Sequence, residues 1–385
     1  MALAVTAIGH VGALGYGATG TLAALRAGLS DPRELPIVVG GEDDEDISAV
    51  GYPAGDFADG FFQAGAWVRL ACGAIDDLRH AAALPGGADF WQRTALLAAL
   101  PIIDEDRFRW TLDMLPEAPR EFVLEPIAQL CARGVSIVEQ GCHPSGHVAL
   151  AAALQRAESG IGAREADRVL LAAADSYVDE WTLEWLASEN RLKTPERPTG
   201  LTPGEAGAAL LLESEAAARQ RRATVRGFVE AVALGAAPLP PPPAKAEGEA
   251  AEEELPSLRP EGTKLGRAIA QAVRQVLPQG STPFAADLYL DLNGEEWRAH
   301  GWGHAQVHLA RHLDLDRCRT FLPATSIGEV GAAAAPVALS LALWNFDRDG
   351  TRDALVVSVA DDGKVAAIRL SAPAAATAAA APRAP

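Results

Sequence analysis

The sequence predicts an α/β protein made of two similar halves, and three observations carry that prediction. First, Val135 to Val138 reads as a short β-branched strand, Cys142 opens a helix running to Glu158, and Arg168 to Ala173 reads as a buried strand. Strand, helix and strand in that order form a parallel crossover unit. Second, strand and helix patterns alternate again from Val225 to Leu370. Third, 385 residues exceed what one core usually supports and suit two packed halves of ordinary size.

The elements follow in chain order. Ala2 to Ile8 is the first strand, and the Gly-punctuated segment Gly9 to Gly20 is a loop. Thr21 to Ala27 is a helix closed by Gly28, a residue that accepts the left-handed conformation at a helix end. Residues 41–60 are acidic and contain Gly and Pro, so they read as loop. Helical patterns cover 61–84 and 118–133, and Ala208 to Leu212 is an apolar strand that ends the first half near residue 215. In the second half, Val225 to Ala233 and Asp287 to Leu292 read as strands. Lys264 to Leu277, Trp302 to Leu313 and Val330 to Trp344 read as helices. Ala354 to Val359 and Val365 to Leu370 make a hairpin-like pair. The halves are therefore 1–215 and 216–371. The Pro/Ala/Glu stretch within 238–262 and the tail 372–385 hold too little apolar surface to order themselves and are expected to be disordered.

Composition narrows the function classes. Hydrophobic residues make up 49% and charged residues 22%, a globular balance. The net charge of −18 has the wrong sign for binding nucleic acid or an anionic membrane surface. No uncharged apolar run reaches the roughly 18 residues of a membrane span, and the apolar N-terminus lacks the basic start of a signal peptide. Cys72, Cys131, Cys142 and Cys318 are widely spaced, with neither zinc spacing nor a dense disulfide framework. The expectation is a cytoplasmic protein with free thiols and no cofactor or metal.

Five segments resemble the β-ketoacyl synthase branch of the thiolase superfamily, in that family's order. They are TAIGHVGALGYGATGTLAALRAGLSDP, GCHPSGHVALAAALQRA, ADRVLLAAADS, PTGLTPGEAGAALLLE and the region from LYLDLNGEEW through SVADDGK. The resemblance runs from Val5 to about Leu370. It implies the thiolase fold, two α/β halves in five α-β-α-β-α layers, and a dimer paired near the nucleophile segment.

The resemblance also implies a degenerate site. Cys142 falls at the nucleophile position. At a helix N-terminus it would gain thiolate character, against the alternative of an inert buried cysteine. Asn293 and Glu329 stand where the family has its two catalytic histidines, and Ala324 stands at the lysine position. Asn293 donates hydrogen bonds but carries no proton near neutral pH. A carboxylate at Glu329 opposes a developing carbanion. Val359, Ala360 and Asp361 take the gate and oxyanion positions, and Asp361 with Asp362 would repel an oxyanion. His147, five residues after Cys142, reads as a helix-packing residue. His300, His304, His308 and His312 recur every four residues; an adjacent pair can hold a metal, but the stripe reads as a solvated face.

The implied function is a catalytically degenerate scaffold or adaptor. LNGEEWRAHGWG with TPGEAG is similar to ketosynthase-like proteins of type VI secretion effector loci, which implies a secretion effector as partner. The alternatives are a silent ketosynthase partner of the chain-length-factor kind in fatty acid or polyketide synthesis, or an acyltransferase using Cys142. Those imply a homodimer or a ketosynthase-like heterodimer and an acyl carrier protein.

Overall fold

The computed structural model describes residues 2–40, 46–103, 107–108, 117–195, 197–241, 259–280 and 283–374. Most of the Pro/Ala/Glu stretch (242–258) and most of the tail (375–385) lie outside the described residues.

The first half holds β1 (Leu3–Gly12), β2 (Gly15–Tyr16), β3 (Arg33–Gly40), β4 (Asp46–Gly51), β5 (Thr94–Leu100), β6 (Ser136–Pro144), β7 (Arg168–Ser176) and β8 (Glu205–Ser214). Its helices are α1 (Ala18–Arg26), α2 (Ala64–Ala81), α3 (Ala88–Gln92), α4 (Glu125–Leu130), α5 (Ala149–Gly162) and α6 (Glu180–Ser188). A short helix, α7 (Glu215–Gln220), leads on to β9 (Gly227–Ala236), α8 (Gly262–Val276), β10 (Asp287–Leu290), α9 (Glu296–Leu309) and β11 (Thr320–Phe321). The chain ends through α10 (Ala324–Ile327), α11 (Ala334–Asp349), β12 (Asp353–Val359) and β13 (Lys364–Ser371).

The strand order is the same twice. One run is β6-β5-β7-β8-β1 and the other is β11-β10-β12-β13-β9. Numbered within each run, both read 3-2-4-5-1. The hydrogen-bonding senses also agree: the two strands nearest the outer edge pair parallel with their neighbours, and the pairings toward the centre are antiparallel. The two runs join where β1 pairs antiparallel with β9, Leu3 opposite Val229 and Val5 opposite Gly227. The hydrogen-bonded ladder is therefore continuous rather than two separate sheets.

Alternation along the strands builds five layers. In β5, Ala95, Leu97 and Ala99 face the central core with α1, α5 and α11. Leu96, Ala98 and Leu100 face the outer core with α2 and α4. In β12, Ala354 and Val356 face the same central core, and Leu355, Val357 and Val359 face α8 and α9.

Four expectations change. Residues 46–51, within the expected loop, form β4 and pair with β3. Thr94–Leu100 is a central strand that the pattern did not reveal, because TALLAAL has one β-branched residue and reads equally as helix. Cys142 does not open a helix: β6 runs on through it to Pro144, and α5 starts at Ala149. Cys72 in α2 and Cys131 at the end of α4 are joined in a disulfide, which leaves Cys142 and Cys318 as free thiols. The expectation of four free thiols is corrected accordingly.

Candidate functional site

The two central helices begin alike. Each is preceded by a single turn opened by a glycine at positive φ: Gly146 (58°) before α5 and Gly331 (48°) before α11. At Gly331 no side chain fits, since a Cβ there would lie 1.9 Å from Asp175 Oδ2. Asp175 accepts from the Ala332 N–H at 3.0 Å and from Arg107 Nη2 at 2.7 Å. These turns bring His147 and Glu329 together at the start of the central layer.

His147 Nε2 lies 2.8 Å from Glu329 Oε1, and both side chains are almost wholly buried. The same carboxylate oxygen accepts the Gly331 N–H at 2.6 Å, and Oε2 accepts Asn293 Nδ2 at 2.5 Å. Burial favours a neutral imidazole, but the Glu329 charge outweighs it and raises the His147 pKa, with Arg298 opposing. Burial equally favours a neutral Glu329, yet His147, Arg298 and the Asn293 hydrogen bond draw its pKa down to about 2.

A second cluster adjoins the first. Arg191 donates to both Glu295 oxygens (2.7 and 3.0 Å) and to both Asp361 oxygens (2.8 and 3.2 Å). Arg298 donates to Asp291 at 3.1 Å, to Asp361 at 3.1 Å and to the Val359 carbonyl at 2.5 Å. Asp291 also accepts the Val359 N–H. Burial works against the charge of Asp361, but Arg191, Arg259 and Arg298 hold its pKa well below the usual carboxylate range. Burial raises that of Asp291. Asn293 Nδ2 reaches Glu295 as well as Glu329, and so links the two clusters.

Each sequence-predicted site residue can now be placed. Asn293, Glu329 and Asp361 fall in one connected network. Val359 belongs to it through its backbone. Ala360 and Gly363 close the turn between β12 and β13, where Ala360 N–H donates to the Lys364 carbonyl. The expected repulsion from Asp361 and Asp362 does not arise: three arginines surround Asp361, and Asp362 points outward to Lys364. Ala324 opens α10 and lines, with Tyr289, Asp291 and Glu329, a cavity of about 20 Å³. That space suits about one water, whereas small-molecule pockets need roughly 300–1,000 Å³.

Cys142 stands apart from this network. Its side chain packs with the outer core under α2 and α4, on the opposite face of the strand layer from α5. It borders a half-open cavity of about 730 Å³ lined also by Arg120, Glu139 and His143. Burial pushes its thiol up to about 11. The expected helix terminus is absent, so the thiolate-favouring field is absent with it. At the start of α5 the turn residue is Gly146.

Sequence reasoning missed Arg191, Arg298, Glu295 and the role of His147. The available signal was Glu329 itself, a lone carboxylate directly before the apolar run VGAAAA, which burial obliges to find a cation.

No protein-family model and no curated protein matches the sequence. Solved structures match across nearly its whole length. A ketosynthase from module 6 of the bacillaene synthase of Bacillus subtilis 168 gives a TM-score of 0.72 at 13% identity, covering 97% of this chain and 72% of that one. A type II polyketide synthase acyl-carrier protein in complex with its ketosynthase gives 0.69 at 14% identity, covering 96% and 99%. The ishigamide ketosynthase/chain length factor gives 0.67 at 17% identity, covering 97% and 100%. Likeness at these identities establishes architecture, and the chain has the thiolase-type fold of the ketosynthases.

Proposed function

We propose that this chain is a catalytically degenerate ketosynthase-fold protein that acts through protein contacts, as a scaffold or adaptor. The observation that carries the reading is Glu329: both of its oxygens are engaged by His147, Asn293 and a backbone N–H, and the adjoining space holds about one water. Decarboxylative condensation needs proton carriers and an anion-stabilising pocket at that place. Here a carboxylate lies in a filled, charge-compensated network. The effector-delivery form of the reading rests on LNGEEWRAHGWG, a segment whose Asn293, Glu295 and Arg298 are network members.

A second reading is a silent partner of an intact ketosynthase. It is favoured by the likeness to the ketosynthase/chain length factor across 97% of this chain. The acyltransferase reading is disfavoured by the burial of Cys142 and its raised pKa. Intact-mass measurement after incubation with acyl thioesters separates the acyltransferase reading from the other two. No adduct is expected on the chain alone, and an acyl adduct lost in Cys142→Ala would favour the acyltransferase instead. We further propose that copies or ketosynthase-like partners pair along the edge of β6 that no described strand covers, and that the chain divides into its two halves near residue 215.

A further inference from the structure

His300, His304 and His308 lie one turn apart along α9, and all three are exposed. His312 falls beyond the helix end at Leu309. Side chains four apart on a helix are surface neighbours, with Cβ atoms about 5–6 Å apart. Two imidazoles at that spacing can close on one metal ion.

The surroundings of the first pair differ from those of a merely solvated face. His300 Nε2 stands 3.4 Å from Glu296 Oε1, one turn earlier. A carboxylate in that place fixes the ring of a metal-ligating histidine and raises its basicity. The backbone under the pair is held rigidly by α8: a Cβ added at Gly262 would meet His300 Cβ at 3.0 Å, and one added at Gly266 would meet His304 Cβ at 2.4 Å. Gly303 lies between the two histidines, on the open side. A Cβ there would meet nothing within 4 Å, whereas at Gly301 it would meet Leu265 at 2.4 Å. Packing explains Gly301 but not Gly303. Glycine weakens a helix interior, and at 303 its effect is to leave the flank of His300 and His304 bare.

We propose that His300 and His304 form a two-imidazole site for a borderline divalent transition metal, with Glu296 as the supporting carboxylate. Among the described residues no three His, Cys, Asp or Glu side chains stand together as a ready metal cage, so water completes the coordination. Two neutral imidazoles select Cu²⁺, Ni²⁺ and Zn²⁺ over Mg²⁺ and Ca²⁺, which prefer oxygen ligands. A bound ion ties together the turn that contains both glycines. Because it binds the folded helix, it raises the unfolding temperature.

The test is calorimetric titration of the untagged full chain with Zn²⁺ and with Ni²⁺. One ion per chain is expected, with affinity weakened about tenfold or more in both His300→Gln and His304→Gln, and by roughly the 10–100-fold of a supporting ligand in Glu296→Gln. His312→Gln should bind as the parent does. All four positions are exposed, and an unchanged circular dichroism spectrum verifies that each variant folds. No binding of either ion, equal binding of Mg²⁺, or parental affinity in His304→Gln would overturn the site. Loss in His308→Gln with none in His300→Gln would overturn the choice of pair.

Discussion

Glu329 is buried at the start of the central layer, with both carboxylate oxygens engaged by His147, Asn293 and the Gly331 N–H. Removing one partner of a buried pair leaves an uncompensated charge and costs about 3–5 kcal/mol. Glu329→Gln should destabilise the chain on that scale near pH 6, measured by denaturant unfolding. The pH dependence follows from both partners. Glu329 has a folded pKa depressed from 4.5 to about 2, so its contribution is complete above 4.5 and is lost as pH falls through about 2. His147 has a folded pKa raised above 6.5, so its contribution is complete below 6.5 and fades as pH rises through the raised value. The gap between parent and Glu329→Gln should be widest between pH 4.5 and 6.5 and should narrow on either side. A gap that is flat with pH would show that the pair is not ionised. Asn293, Glu329 and Asp361 were legible from motif position. Their partners were not, because Arg191 meets Asp361 across 170 residues and His147 meets Glu329 across 182.

At the scale of elements, helix starts and strand edges carry the argument. Gly331 combines a φ of 48° with a Cβ position 1.9 Å from Asp175 Oδ2. Gly331→Ala should therefore cost about 3 kcal/mol or more, from overpacking and backbone strain together. Gly303→Ala, with open space at its Cβ, should stabilise by about 0.5–1 kcal/mol. Thermal unfolding of the two variants checks both signs. The edge strand β6 is interrupted where the register against β5 shifts from Leu96–Ile137 to Ala98–Cys142, which leaves residues 138–141 opposite Leu97 alone. A bulge blunts an edge but leaves Ser136 and Ile137, which no described strand covers on their outer side, available for pairing. Light scattering at micromolar concentration should give the mass of two chains; a monomer would count against pairing along β6. The sequence hid this bulge. It placed a strand end at Val138 and a helix at Cys142, since Glu139, Gln140 and Gly141 break the β-branched pattern. Every later side-chain assignment near Cys142 inherited that error, because shifting an element boundary changes which face a residue occupies.

For the whole molecule, two α/β halves were legible from alternating strand and helix patterns and the five layers from the family resemblance, whereas the repeated 3-2-4-5-1 strand order was not, since β5 and β11 went unrecognised. Fold is set by apolar periodicity, which tolerates substitution. Function lives in the site. In this chain the fold surrounds a centre filled by salt bridges, and the half-buried Cys142 thiol packs in the outer core on the other face of β6. The most direct test of that account is a condensation assay. The purified chain is incubated with malonyl and acyl thioesters on acyl carrier protein, and ketoacyl product is measured by mass spectrometry. On the proposed reading Asn293 and Glu329 stand in place of two proton carriers worth about 10²–10⁴-fold each, so the account predicts product at the no-enzyme rate. Product that rises in proportion to the concentration of this chain would contradict it.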